Sequence, residues 1–260
     1  MNGLSGLTGD LILDHAFGLV LILARIGATI ALLPGFGEVT IPSVVKAGVV
    51  FTLTLLLLPI IEPDLPPRPA NELAVGLMVA TELANGLWLG WLARVLTISM
   101  PLAGQFVADF AGLANVLLPT PELGAQTTAI ARLNEVAVPA LILSTGLYTI
   151  LISALVGFYR LVPPGSLAWV PDSAETTIAV VGESFNLALR LAAPFILAGV
   201  AWNMAIGLIS RLVPRLQIFF VGLPGQIGLG LMLLAAVAAP TIAAWMEAMR
   251  PGLGALPGAS

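Results

Sequence analysis

Arg25 lies inside one long apolar run of the chain, and Glu82, Asn85 and Arg94 lie inside another. Ionisable groups in oily surroundings are costly, and in membranes they often carry proton or ion paths. Glu82, Gly86, Gly90 and Arg94 fall at successive i+4 steps, so on a helix they share one face. Gly86 and Gly90 form a GxxxG pair, which lets a second backbone come close. The face is therefore either a proton or ion path, or a packing seam whose charges are satisfied by partner helices or snorkel to the interface. GxxxG alone is a common pattern, and the packing reading is preferred. A second small-residue ladder, Gly104, Ala108 and Gly112, also speaks for dense protein–protein packing. Asp109 sits in an apolar but interrupted stretch, Gln105–Leu118, where it lines a cavity, caps a turn or faces a partner.

Catalytic sets fare badly. Gly3-Leu4-Ser5-Gly6 matches the GxSG of intramembrane serine proteases, but it precedes the first apolar run and His15 is the one histidine available as a base. A Ser–His dyad needs both groups at one depth in a bundle. Asp109 has no second buried aspartate to pair with, and there is no phosphate loop, GxGxxG or HExxH. The chain has no cysteine, so no disulfide, thiol nucleophile or cysteine–metal site is possible. No enzyme activity, metal or cofactor is expected.

The elements that hold these residues follow from the scarcity of charge. Of 260 residues, 58% are hydrophobic and 9% charged, with a mean hydropathy of +1.04. A soluble domain carries roughly 25% charged residues. So little charge cannot coat a water-facing surface, and the surroundings must be lipid or other protein. Transport, channel activity, intramembrane catalysis and membrane assembly are the function classes left. The net charge of −4, with ten Lys and Arg, argues against a nucleic-acid or polybasic lipid-binding role.

Six apolar blocks are expected as helices: 11–33, 43–61, 72–100, 136–158, 185–209 and 218–246. Each reaches or approaches the ~20 residues needed to cross ~30 Å of hydrocarbon. Pro42 suits the first turn of the second block. Block 136–158 carries no charge and is the strongest. Gly222, Pro224, Gly225, Gly228 and Gly230 predict a kink or break in the last. Between blocks, Pro34-Gly35-Phe36-Gly37 and the Pro-rich run Glu62–Pro69 mark breaks, Thr120-Pro121-Glu122 reads as a helix start, and prolines at 163–164 and 171 bracket a polar loop. Met1–Asp10 has no Lys or Arg, so no cleaved signal peptide is expected. Placing the N-terminus outside leaves Lys46, Arg132, Arg211 and Arg215 on the cytoplasmic side, in accord with the positive-inside tendency. The fold class is thus an all-α integral membrane protein of about six hydrophobic helices in hairpins.

The turn before the last block is the most specific segment. It reads Leu-Ile-Ser-Arg-Leu-Val-Pro-Arg-Leu-Gln-Ile-Phe-Phe-Val-Gly-Leu over 208–223, then Pro224. Physically it is an interfacial hairpin turn with cations at a helix C-terminus. It resembles the signature of the FliR family of flagellar type III export-gate proteins, related to the injectisome SctT family, with the pattern carried by Arg211, Pro214, Gln217, Phe219, Gly222 and Pro224. Arg215, Gln217 and Leu223 stand where family members usually have Gln, Asn and Phe. The resemblance spans nearly the whole chain. Arg25, Pro34-Gly35-Phe36-Gly37 and Ile41–Lys46 resemble the family's first hairpin; Glu82, Gly86 and Gly90 resemble its third helix; Gly104-Gln105 resembles the Gly-Gln that follows.

The resemblance implies a subunit, like a FliP-like part fused to a FliQ-like part, that assembles with FliP- and FliQ-like chains into the helical export gate of the basal body in the inner membrane. FlhA- and FlhB-like proteins are implied neighbours, and unfolded flagellar subunits the cargo. It also implies that some apolar blocks are hairpins buried against partners, with Glu82 and Arg94 satisfied across subunit contacts. The family's pore-plug loop falls by position at about 112–128, with Gly112, Leu113, Asn115, Val116, Leu117, Leu118 and Pro119 at its front. Apolar side chains can close a narrow pore by dewetting and part for a passing chain. From the residues alone, an ordinary buried loop is the competing reading. Gly222-Leu223-Pro224 leans toward the flagellar rather than the injectisome form. A small-molecule or ion transporter using Arg25, Glu82 and Asp109 is the alternative from another class.

Overall fold

The computed structural model describes residues 2–114, 128–168, 170–212 and 218–259, with side chains described in these ranges except at 2–12, 170–171 and 218–221. Among the described residues the chain is helical and has no strand: α1 (Asn2–Leu32), α2 (Ser43–Ile61), α3 (Glu72–Thr97), α4 (Ser99–Phe110), α5 (Ala129–Ser144), α6 (Tyr148–Leu161), α7 (Val170–Leu212) and α8 (Ile218–Gly254). Five stretches are long and apolar enough to cross a membrane, and six if the bent pair α5–α6 counts as one. The all-α membrane class read from composition is the observed one.

The expected block 43–61 is α2 without change, entered through Pro42 at its N-cap. α3 starts where expected because Asn71 caps it, its Oδ1 accepting the Leu73 N–H at 2.9 Å. α8 also starts at the expected Ile218, while other boundaries differ for local reasons. Block 72–100 ends at Thr97, because Pro101 has no N–H to return to the Thr97 carbonyl, and the chain restarts at Ser99 as a separate α4. Block 136–158 is two helices: Gly146, at φ 78°, ends the first. Its lack of charge marked an apolar environment, not one continuous helix; Val136 and Leu143 remain exposed. Block 185–209 begins fifteen residues earlier, at Val170, because its first turns are helical yet polar, with Asp172, Glu175 and Glu183. The break expected at 222–230 is absent; α8 runs as one continuous helix from Ile218 to Gly254. Gly222, Gly225 and Gly230 serve close packing, a Cβ at Gly225 standing 2.7 Å from the Trp202 ring, whereas Gly228 has nothing within 4 Å.

The chain divides into two compact units, 1–95 with 141–180 and 251–260, and 96–140 with 181–250. In the first, Leu21, Ile22, Ile26 and Ile30 of α1, Leu89 and Leu92 of α3, and Leu151, Leu155 and Phe158 of α6 are buried. Their i,i+3/i+4 spacing gives each helix one inward stripe. In the second unit, Val107, Ala111, Ala192 and Phe195 form a core cluster, flanked by Phe110, Leu113 and Leu233 among others. Trp245 is fully buried and donates its indole N–H to Ser99 Oγ at 3.1 Å. Outside these cores, large apolar side chains remain exposed along whole helices, such as Leu56 and Ile60 on α2, Leu197 and Met204 on α7, and Met232 on α8. Contiguous apolar surface of this extent requires lipid or partner protein.

Candidate functional site

The seam expected on α3 is built against α1. The Arg25 guanidinium donates to Glu82 through Nε at 2.6 Å and Nη2 at 3.0 Å, and both side chains are 0% exposed. A buried ion pair is tolerable only when its remaining donors and acceptors are also satisfied. Arg25 Nη1 donates to the Val162 carbonyl at 2.7 Å, and the Gly165 N–H donates to Glu82 Oε1 at 2.6 Å. The guanidinium lies 4.3 Å from the centre of the Tyr159 ring, a cation–π geometry. The helices come this close because of two glycines. A Cβ at Gly86 would collide with the Arg25 carbonyl, and one at Gly90 would stand 2.7 Å from the Thr29 carbonyl oxygen.

Asn85, one turn along, extends the same device. Its Nδ2 donates to the Ser166 carbonyl at 2.7 Å and its Oδ1 accepts the Ala168 N–H at 3.1 Å. Arg25, Glu82 and Asn85 therefore pin the α6–α7 connection onto the α1–α3 pair. Arg94 lies 3.5 Å from both the Leu32 carbonyl and Glu38 Oε1. This corrects the expectation that Glu82 and Arg94 wait for partner subunits: both find acceptors or donors inside the chain. The groups around Glu82 are an arginine and backbone, which is the chemistry of a packing clasp. A proton path needs a further titratable group in relay, and the hydrogen bonds of Glu82 run to the Arg25 guanidinium and the Gly165 N–H instead.

The second arrangement is the end of α4. Gly112, at φ 72°, follows the C-cap Ala111. The Gly112 N–H reaches the Asp109 carbonyl at 3.4 Å and the Leu113 N–H the Ala108 carbonyl at 2.8 Å, the paired bonds of a Schellman motif. From α8, Gln226 Nε2 donates to the Phe110 carbonyl at 3.0 Å. Where the chain is next described, the Thr128 N–H donates to Gln105 Oε1 of α4 at 3.3 Å, and Thr128 Oγ1 caps α5 by accepting the Ala131 N–H at 3.3 Å. Gln105 in turn donates to Asp109 Oδ1 at 3.3 Å, and Asp109 itself is exposed. The small-residue ladder is used here: a Cβ at Gly104 would stand 3.0 Å from the Ala131 Cα.

Residues 16–251 match the family model for bacterial export proteins, family 1. The chain belongs to this family. It is 30% identical to the flagellar biosynthetic protein FliR of Caulobacter vibrioides over 230 residues, covering 88% of this chain and 92% of the relative. It is 27% identical to the FliR of Bacillus subtilis, covering 86% of each. It is also 26% identical to the Yop proteins translocation protein T of Yersinia pestis, over 86% of this chain and 87% of that one. Membership in the FliR family, with its injectisome relatives, is thereby shown.

The family-signature residues are only partly visible. Arg211 is exposed in the last turn of α7, Gly222 is buried with a Cβ position 3.1 Å from Ile206 Cδ1, and Pro224 is exposed. Pro214 and Gln217 lie outside the described residues, as does the Phe219 side chain. Of the plug set, Gly112 and Leu113 are described; Asn115, Val116, Leu117, Leu118 and Pro119 lie outside, as does the helix start read at 120–122. His15, considered as a base for Ser5, has its Nε2 2.9 Å from Glu62 Oε1. The Ser5 side chain lies outside the described residues. Among the described residues no three His, Cys, Asp or Glu side chains could hold a metal together.

Asn85, Gln105, Gln226 and Tyr159 carry bonds or stacking that the sequence reading gave no role. Asn85 was already marked as a polar residue in an apolar run, three residues from Glu82, but without its partners. Gln226 carried no such signal, because its partner is a carbonyl 116 residues away.

Proposed function

We propose that this FliR-family chain is a non-enzymatic subunit of the flagellar type III export gate in the bacterial inner membrane, at the flagellar basal body. It assembles with FliP- and FliQ-like chains, meets FlhA- and FlhB-like export proteins, and passes unfolded flagellar subunits through the shared pore. The observation that carries the reading is the family match over 16–251. The exposed apolar helices support it, since in an assembly these faces become subunit or lipid contacts.

Within that assembly the gate segment is the α4–α5 connection that starts at Gly112. Its support is the resemblance, together with the firm tying of both described ends to α4, through the Schellman bonds at Leu113 and the Gln105–Thr128 bond. A segment fixed at its ends, with a largely apolar front at 112–119, can exclude water and ions while yielding to a passing chain. The Arg25–Glu82 clasp has the complementary role of keeping the α1–α3 pair rigid.

Pull-down of the tagged chain in mild detergent, co-expressed with its genomic neighbours, tests the reading. A complex containing FliP- and FliQ-like chains, large by native mass, is the expected result. A stable monomer or dimer without them overturns it. The injectisome relative makes a second assignment concrete. Deletion of the gene separates the two: loss of flagella and motility is expected for the flagellar gate, and intact motility would sink it.

A further inference from the structure

We propose that Gln226 of α8 is a positioning residue for the C-terminal end of α4, and through it for the gate segment that begins at Gly112; the second half rests on the gate reading above. The last four carbonyls of a helix have no partner within it. In α4, the Val107 carbonyl accepts the Ala111 N–H at 2.9 Å, the Ala108 carbonyl the Leu113 N–H at 2.8 Å, and the Asp109 carbonyl the Gly112 N–H at 3.4 Å. The Phe110 carbonyl remains. It is hemmed in by α7, where a Cβ at Gly199 would stand 2.7 Å from the Phe110 oxygen. With α7 closing one side, a donor from the protein is the direct way to satisfy this carbonyl. Gln226 Nε2 supplies it at 3.0 Å.

The same helix contacts the next two residues. A Cβ at Gly230, one turn beyond Gln226, would stand 3.0 Å from the Ala111 Cα, and a Cβ at Gly112 would stand 3.2 Å from Gln226 Cδ. α8 thus touches Phe110, Ala111 and Gly112 in succession, and the Gln226 bond is the directional contact of the three. A slide or rotation of α8 must carry the end of α4 with it or break that bond. Gln226 is the link through which α8 sets where the gate segment starts.

The chain has no cysteine, so Leu113→Cys places a single thiol at this end of α4. Its labelling by a maleimide is measured in the assembled gate, in liposomes, alongside dye leak through the same complex. Three backgrounds are compared: Q226L, of similar length without a donor; Q226E, with oxygen in place of the donor; and Q226K, which keeps an N–H donor. Labelling in Q226L and Q226E is expected to rise by roughly three- to ten-fold, the shift from losing one net hydrogen bond, with leak rising in step and Q226K close to the starting protein. A general loss of packing would not be rescued by Q226K. Unchanged labelling in complexes of unchanged native mass overturns the proposal, and Q226E decides it if Q226L fails to assemble. Faster labelling without any leak keeps Gln226 as the anchor of α4 and overturns the gate reading instead.

Discussion

Arg25 and Glu82 face each other across the α1–α3 seam at 2.6 Å, and neither side chain reaches the surface. The pair is held by glycine approach on one side and by the carbonyls and N–H of the α6–α7 connection on the other. Its function is positional: it converts three separate chain segments into one rigid corner.

Removing one partner of the pair leaves the other charge buried and unpaired. E82Q is expected to destabilise the first unit by about 3–5 kcal/mol. The double variant R25M/E82L, which removes both charges and keeps volume, is expected to recover most of that loss. Thermal unfolding of the detergent-purified chain reads both. Equal losses for the single and double variants would show that the pair is not the source of stability.

The glycines separate by environment. G90A brings a methyl to 2.7 Å from a backbone carbonyl, so α1 and α3 must part, at a cost of about 1–3 kcal/mol or more. Gly48 on α2 and Gly76 on α3 have nothing within 4 Å, and G48A and G76A should be neutral or stabilise the isolated chain by up to ~1 kcal/mol. Unfolding of purified variants ranks them. G76A as harmful as G90A would contradict the packing account.

Composition and periodicity made the membrane class and the apolar blocks legible, because both depend on the environment a helix faces. The seam was legible too, since Glu82, Gly86, Gly90 and Arg94 share a face by spacing alone. What the seam met was not. The Arg25–Glu82 bond joins residues 57 apart, and Gln226 meets Phe110 across 116, separations that no local pattern encodes. Hydropathy also marks an apolar environment better than helix ends, which is why polar turns of α7 were missed and the break at Gly146 went unseen in an uncharged run.

Gly112 sits at φ 72°, where an L side chain is rarely found. G112A adds that backbone penalty, roughly 1–2 kcal/mol, to a contact at 3.2 Å from Gln226. The Schellman bonds at the end of α4 are expected to loosen. Faster amide exchange at Leu113 and Ala114, with the rest of α4 unchanged, is the expected signature. Uniform protection across 108–114 would mean that the glycine conformation is not needed there.

Asn85 offers the cleanest separation between local and global effects. Its two bonds hold Ser166 and Ala168, while the adjacent Arg25–Glu82 pair grips the same connection through Val162 and Gly165. N85L keeps the side chain's bulk on an apolar helix but leaves both backbone groups without that partner, a loss of about 1–3 kcal/mol for each group that stays buried. The connection has a ready way to avoid that cost, because Leu167 is already exposed and the backbone can move outward to find water. The freed segment is therefore expected to become a proteolysis site at 163–168, with the midpoint of global unfolding shifted much less than in E82Q. Cleavage mapped by mass spectrometry under limiting protease checks this. An N85L chain as resistant as the parent would show that Glu82 alone, through its bond to the Gly165 N–H, secures the α6–α7 connection.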